Sequence, residues 1–189
     1  DDVESRGLGD VYKRQGCNTI LKRMNRKYTR EQYFEKCEML REAYDAPALT
    51  TDVIVGFPGE TDEEFEETVQ YLTKLNLYEM HIFKYSPRKG TVAAAMKDQV
   101  SPEVKNKRSD VLLELAERGK KAYEAKYEGA ELEVLVEEVL HREDGTYLRG
   151  HTERYMDILI KAGDIPMPES FVNSFVYVRY TQNGDILMV

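Results

Sequence analysis

The chain is poor in cysteine. Cys17 and Cys37, the two present in 189 residues, stand nineteen intervening residues apart. So few exclude a disulfide framework, and without a C-x-x-C pair or a Cys/His cluster any metal would need ligands from elsewhere. Long apolar runs are also missing: nothing approaches the roughly 18 residues of a membrane span. The N-terminus lacks the charged, apolar, small-residue order of a signal peptide, so a cytoplasmic protein with no membrane partner is expected. Positive charge is in deficit, with 27 Lys and Arg against 35 Asp and Glu and a net charge of −8. That balance disfavours a simple electrostatic nucleic-acid binder and leaves only local basic patches for the role. The absence of G-x-x-x-x-G-K-[ST] weakens a phosphate-loop transferase. What is present, 41% hydrophobic and 33% charged residues, suits one globular domain or two small ones.

Residues 1–15 carry Gly7, Gly9 and mixed charges with no sustained apolar period, and yield neither helix nor strand. The run R-G-L-G-D-V-Y-K-R-Q from Arg6 to Gln15 resembles translated adapter sequence from the ends of assembled metagenomic fragments. A disordered, non-native leader is expected there, with the natural chain beginning before Gly16. Cys17 to Asn25 predicts a short amphipathic helix with Ile20, Leu21 and Met24 on one side. Thr29 with Gln32 forms a capping box opening a helix through Tyr33, Phe34, Cys37, Leu40 and Tyr44. Ala48 to Val55, stopped by Gly56, predicts a strand buried on both faces. Thr61 with Glu64 repeats the capping box before Phe65, Thr68, Val69, Leu72 and Leu75. Met80 to Tyr85 predicts the next strand, and the order strand, helix, strand implies a right-handed parallel crossover. Ser101 and Pro102 open a long helix to about Lys126, striped by Val104, Val111, Leu112, Leu115 and Ala122 and expected to link two domains.

Beyond Gly129 the period falls to two. Leu132, Val134 and Val136 alternate with Glu131, Glu133 and, less regularly, Glu137. Asp144-Gly145 and Asn183-Gly184 signal hairpin turns, and Tyr147 to Arg149, Tyr155 to Ile160 and Phe171 to Tyr180 supply strands. The expected fold is therefore α/β followed by all-β, the latter a small antiparallel barrel of about five strands in the style of an OB fold.

Two stretches carry chemistry. In Thr50-Thr51-Asp52-Val53-Ile54-Val55-Gly56-Phe57-Pro58-Gly59-Glu60-Thr61 a strand ends in a glycine-bearing loop that feeds a capped helix, where open α/β sheets and barrels place ligands. Gly56 and Gly59 permit close backbone approach, Pro58 stiffens the turn, and Glu60 could hydrogen-bond a ligand hydroxyl or amine. By spacing alone a merely tight connection fits equally. The second stretch, Phe83-Lys84-Tyr85-Ser86-Pro87-Arg88-Lys89-Gly90-Thr91, ends the next strand, and parallel strands bring both loops to one edge.

These two motifs, with G-C-N-T-I-L-K-R-M-N-R-K-Y from Gly16 to Tyr28, resemble the radical S-adenosylmethionine (SAM) methylthiotransferases, in particular the tRNA branch acting on threonylcarbamoyladenosine. The resemblance covers roughly Gly16 to Ile160. It implies that 16–100 is the C-terminal part of a radical SAM partial α/β barrel, 101–127 a linking helix and 128–189 a TRAM-like β-barrel. It also implies S-adenosylmethionine and two 4Fe-4S iron-sulfur clusters in a full-length parent, neither ligated here. The implied partners are the tRNA anticodon stem-loop, the missing N-terminal part of the polypeptide and an electron donor. The implied reaction is reductive cleavage of S-adenosylmethionine, hydrogen abstraction and methylthio transfer to carbon 2 of the adenine, for which this fragment alone is expected to be inactive. By resemblance Ile54, Gly56, Phe57, Pro58, Gly59 and Glu60 lie in a G-x-I-x-G-x-x-E-like element lining the adenosyl group, with Asp52 where that pattern has its first glycine. Tyr85, Ser86, Pro87 and Arg88 form the neighbouring wall, and the Arg88 fork suits a carboxylate or a phosphate.

Lys22, Arg23, Arg26, Lys27 and Arg30 place five cations within nine residues, either an RNA-tracking patch or a solvated helix face. Glu128 to Lys161 carries nine acids against four Lys or Arg, which leaves Arg149, His151 and Arg154, with Tyr147 or Tyr155 stacking, as the face for RNA. His81 and His141 read as structural or solvated, and Cys37 and the methionines as packing. A standalone RNA-binding or interaction module without catalysis is the alternative reading. An isolated half-barrel also leaves a strand edge unpaired near Ala48 or Met80, which predicts weak amide protection over 48–85.

Overall fold

The computed structural model describes residues 13–14, 16–163, 166–182 and 187–188, the first and last pairs by backbone alone. The expected leader lies outside these residues apart from Lys13 and Arg14, and the Asn183-Gly184 turn lies outside them too. The chain divides into two compact units between Lys120 and Lys121.

The first unit is a three-stranded parallel sheet in the order β1-β2-β3, with β1 at Lys13–Arg14, β2 at Thr50–Val55 and β3 at Glu79–Lys84. Lys13 and Arg14, where no element was expected, thus pair in parallel with Asp52 and Val53. Among the described residues β2 is the central strand and β1 and β3 are the edges, so of the two expected edge positions the Met80 strand is the one with a free side. Helices α1 (Asn18–Arg23), α2 (Arg30–Ala43), α3 (Asp62–Leu75), the one-turn α4 (Val92–Ala95) and α5 (Pro102–Glu124) complete the helical order. Both expected capping boxes form. The Thr29 and Thr61 hydroxyls accept the Gln32 and Glu64 amides, and the Gln32 and Glu64 side chains accept the cap amides in return. Each box satisfies two helix-end donors that would otherwise be orphaned.

Val53 and Val55 alternate out of β2 into a core with Cys37 of α2, Leu72 and Leu75 of α3, and Leu112 and Leu115 of α5. Burying each large aliphatic side chain here contributes about 1.5–3 kcal/mol before entropy is charged. The strand is less uniformly buried than expected, since Asp52 and Ile54 on its other face are only half-buried. Two helix stripes also differ. On α2, Leu40 and Tyr44 are exposed and the buried contact is Cys37. On α5, Val111 and Ala122 are exposed, and the buried face runs Arg108, Ser109, Leu112, Leu115. A polar residue occupies the apolar spacing because it meets an internal acid, described below.

The second unit is a five-stranded antiparallel sheet in the order β6-β5-β4-β7-β8, curled so that its edge strands approach each other. Its strands are β4 (Glu131–Arg142), β5 (Gly145–Thr152), β6 (Asp157–Lys161), β7 (Phe175–Arg179) and β8 (Leu187–Met188). Val134, Val136, Leu148, Ile158, Ile160, Val176 and Val178 fill its interior. The irregular alternation at Glu137 is a β-bulge: Val136 faces Gly150, Glu138 faces Arg149, and Glu137 has no partner. Gly150 is obligatory opposite it, because a Cβ there would stand 1.9 Å from the Leu135 carbonyl oxygen. The hairpin turn is Glu143-Asp144, with Gly145 already paired to Arg142. Tyr155 lies in a left-handed turn (φ 59°) before β6, and Phe171 closes a 3-10 turn, Pro168–Phe171, before β7. Neither belongs to a strand, as had been expected of both.

Candidate functional site

β2 and β3 run parallel from Thr50↔Glu79 to Val55↔Lys84, so the loops that follow them emerge at one edge. The last rung of the ladder is the Tyr85 amide donating to the Val55 carbonyl at 2.8 Å. Gly56 then turns left-handed (φ 69°), and Gly59 does so again (φ 76°). Between them the Glu60 amide donates to the Phe57 carbonyl at 3.0 Å, and the Gly59 amide donates to the Asp98 carbonyl at 2.7 Å.

Glu60 faces inward. Its Oε2 accepts the Gly56 amide at 2.7 Å and Arg108 Nη1 at 2.7 Å, while Nη1 also donates to the Glu60 carbonyl at 3.1 Å. Arg108 Nη2 reaches Asp62 Oδ1 at 2.7 Å, and the guanidinium lies 5.3 Å from the Phe65 ring. The Glu60 and Arg108 side chains are 1% and 6% exposed. Burial pushes the Glu60 carboxyl above its ordinary value, against the downward pull of the Gly56 amide and Arg108. The other carboxylate oxygen, Oε1, and Arg108 Nε are buried without a hydrogen-bond partner. One oxygen of the carboxylate expected to meet a ligand thus anchors the protein's own loop, while the other has no hydrogen-bond partner.

Phe57 is buried with Cys17 and Ile20, and its ring meets Tyr85 edge-on at 5.3 Å and 69°. Pro58 is buried, Ile54 half-buried, and Ser86 and Arg88 are exposed. The Arg88 carbonyl accepts the Thr91 amide and hydroxyl at 3.2 and 2.8 Å, which fixes the turn and leaves the guanidinium in solvent. Residues 54–60 and 85–88 therefore do converge, with Tyr85, Ser86 and Arg88 as the accessible wall. A groove of about 670 Å³ beside Tyr28, Tyr33, Leu40 and Leu49 lies at the start of β2, the other end of the strand from Gly56.

Sequence reasoning missed two side chains at this edge, Lys105 and Arg108 of α5. The available signal was Arg108 at i, i+4 and i+7 spacing with Leu112 and Leu115, a buried helix register. Arg23 supports the loop from α1: Nη1 donates to the Gly59 carbonyl at 2.9 Å, and the guanidinium forks onto the Glu64 carboxylate at 2.8 Å twice.

That engagement bears on the basic patch. Arg23 is held by Glu64, and Arg30 by Glu31, Glu67 and the Gly16 carbonyl. Arg26 is half-buried, while Lys22 and Lys27 are exposed. In the second unit Arg149 pairs with Asp157 at 2.9 Å and Glu138 at 3.0 Å, which hold its pKa above the ordinary arginine value. His151 Nδ1 lies 3.0 Å from Glu137 Oε2, and Arg154 pairs with Glu153 at 2.8 Å and stacks over Tyr127. Each expected RNA contact on the sheet is thus already matched by an acid.

Among the described residues no three His, Cys, Asp or Glu side chains gather into a metal site. Cys17 and Cys37 are buried, and burial, reinforced by Glu67, pushes the Cys17 thiol up, away from the thiolate a metal needs. Among the described residues no helix is long and apolar enough to cross a membrane.

Residues 10–72 match the Radical SAM superfamily. The chain is 41% identical over 170 residues to the threonylcarbamoyladenosine tRNA methylthiotransferase MtaB of Bacillus subtilis (strain 168), covering 89% of this chain and 37% of that protein. It is 49% identical over 123 residues to the tRNA-2-methylthio-N(6)-dimethylallyladenosine synthase of Aquifex aeolicus (strain VF5), covering 65% and 28%. The same synthase from Oceanobacillus iheyensis is 41% identical over 167 residues, covering 88% and 31%. A solved structure, the radical SAM enzyme coproporphyrinogen III oxidase (HemN) of Escherichia coli, aligns with a TM-score of 0.49 at 21% identity, over 56% of this chain and 25% of that one. By its superfamily match and its identity over most of its length, the chain is a relative of the radical SAM tRNA methylthiotransferases, of which it spans about a third.

Proposed function

We propose that this chain is the C-terminal part of a tRNA methylthiotransferase that adds a methylthio group to carbon 2 of threonylcarbamoyladenosine beside the anticodon. The observation that carries the reading is the pairing of 41% identity over 170 residues with convergence of the 54–60 and 85–88 loops at one sheet edge. In this reading 16–100 belongs to the radical SAM domain, and 128–189 is a TRAM-like barrel. The protein works in the cytoplasm with tRNA, an electron donor and the N-terminal part of the same polypeptide.

The edge fits S-adenosylmethionine. Tyr85 offers an aromatic wall with a buried, unpartnered hydroxyl, and the exposed Arg88 fork suits the methionyl carboxylate. Bound beside its cluster, that cofactor supplies the radical chemistry, and the residues here bind and orient it. The cluster ligands belong to another part of the polypeptide, so the chain alone is inactive.

Reading the source DNA upstream of the Gly16 codon tests this. The expected result is one continuous frame containing Cys-x-x-x-Cys-x-x-Cys. Its expression in a bacterium lacking its own methylthiotransferase should restore 2-methylthio-threonylcarbamoyladenosine in digested tRNA, detected by mass spectrometry. A dimethylallyl product instead would reassign the substrate. A start codon directly before Gly16, with no such frame, would favour the noncatalytic RNA-binding module.

A further inference from the structure

Two α5 side chains, Lys105 and Arg108, one turn apart, govern the backbone of both loops. In a parallel ladder the rung after Tyr85 N–H to Val55 carbonyl is donated by the Phe57 amide to the Tyr85 carbonyl. No such rung forms among the described residues. Lys105 Nζ takes the Tyr85 carbonyl instead, at 2.9 Å, and stands 5.3 Å from the Tyr85 ring. The Lys105 stem lies against Gly56 so closely that a Cβ there would be 2.4 Å from Cγ. Arg108 acts on the other side of the loop: it holds the Glu60 carboxylate whose Oε2 accepts the Gly56 amide. Gly56 is thus pinned by a buried acid whose cationic partner among the described residues is Arg108, beside a lysine that ends the sheet one rung early. The sheet edge stops where the ligand space begins, leaving the Phe57 amide outside the ladder.

We propose that Lys105 and Arg108 are positioning residues of this edge, presetting the 56–60 and 85–88 backbones to receive the adenosyl and methionyl groups of S-adenosylmethionine. Neither need touch the ligand. The inference rests on the cofactor reading above for the identity of the ligand, but not for the existence of the clamp. Preorganisation of this kind acts by removing the ordering cost of the loop from the binding step.

The test uses the full chain with K105M, R108M and R108K, followed by amide exchange in NMR, thermal unfolding and titration with S-adenosylmethionine. A hydrogen bond to a charged group contributes about 1.5–3 kcal/mol, so its loss should speed Gly56 exchange roughly tenfold or more in R108M. The same variant should weaken S-adenosylmethionine binding by a comparable factor, and R108K, which keeps the charge beside Glu60, should recover part of both. K105M removes a half-exposed side chain. It should leave the melting temperature near that of the unsubstituted chain while shifting the Phe57 and Tyr85 amides and weakening binding. That split between stability and affinity is one a merely structural lysine would not produce. Gly56 exchange and affinity within twofold of the unsubstituted chain in both R108M and K105M would overturn the clamp. Should R108M fail to fold, R108K and K105M decide the matter by the same criterion. No titration shift in the cluster-loaded full-length frame would overturn the cofactor reading, and Gly56 exchange in this chain would still decide the clamp.

Discussion

Gly150→Ala should break the second unit at its bulge. The added Cβ would stand 1.9 Å from the Leu135 carbonyl oxygen, 2.7 Å from the Leu135 carbonyl carbon and 2.9 Å from Val136 Cα. All three are backbone atoms of β4, so no rotamer change relieves the clash, and β4 and β5 must separate where Val136 faces Gly150. Overpacking a core typically costs about 1–3 kcal/mol, and a clash with the ladder itself belongs at the upper end, about 3 kcal/mol. For a domain of this size each kcal/mol moves the melting temperature by about 4–8 °C, so the expected drop is about 12–24 °C. Gly163→Ala is the control. Its backbone is left-handed (φ 53°) with no atom within 4 Å of the added Cβ, so it should lose only about 1–2 kcal/mol of conformational strain. Both substitutions change the unfolded chain alike, and the difference between them reports the clash. Thermal unfolding with amide exchange across β4 and β5 measures it. If Gly150→Ala melts within a few degrees of Gly163→Ala, the bulge argument is wrong.

Leu112 is wholly buried among Val53, Val55, Leu72 and Leu75, so Leu112→Ala should cost about 2–5 kcal/mol in denaturant unfolding. The exposed Leu113 should tolerate alanine within about 0.5 kcal/mol, and equal losses would refute the α5 register. Tyr180 ionises at about 12 rather than 10.0, because burial, and then the Glu124 charge, disfavours the phenolate. The native state holds this proton more tightly than the unfolded chain, so the contribution is complete below pH 10.0 and lost as pH rises toward about 12. Ultraviolet titration should show a tyrosine component ionising near pH 12 that Tyr180→Phe removes. Lys22→Glu with Lys27→Glu should weaken tRNA binding and flatten its salt dependence. Arg149→Ala, which removes a cation already paired twice, should change affinity little, and the reverse order would move the RNA face to the sheet.

Local rules carried much of the fold. The two capping boxes, the strand closed by Gly56 and the parallel crossover were all legible, because each depends on residues near in sequence. The convergence of Gly56 to Glu60 with Tyr85 to Arg88 was legible too, since parallel strands must end at one edge. Misjudged features depended on distant partners. Leu40 and Val111 keep helical spacing yet face solvent, because no element of the described residues covers them. Tyr155 has strand propensity but sits where a turn requires left-handed backbone.

Hydrophobic period, caps and glycine placement, properties of consecutive residues, determined by themselves an α/β segment with two loops at one sheet edge followed by a β segment. Tertiary structure alone decided what the charged residues do. Glu60 anchors its own loop because Arg108, 48 residues on, meets it in the core, where an unpaired charge would cost several kcal/mol. Arg23, Arg30 and Arg149 left the pool of free cations because Glu64, Glu67 and Asp157 lie beside them in space. Coulombic pairing follows distance in three dimensions, which spacing along the chain does not encode.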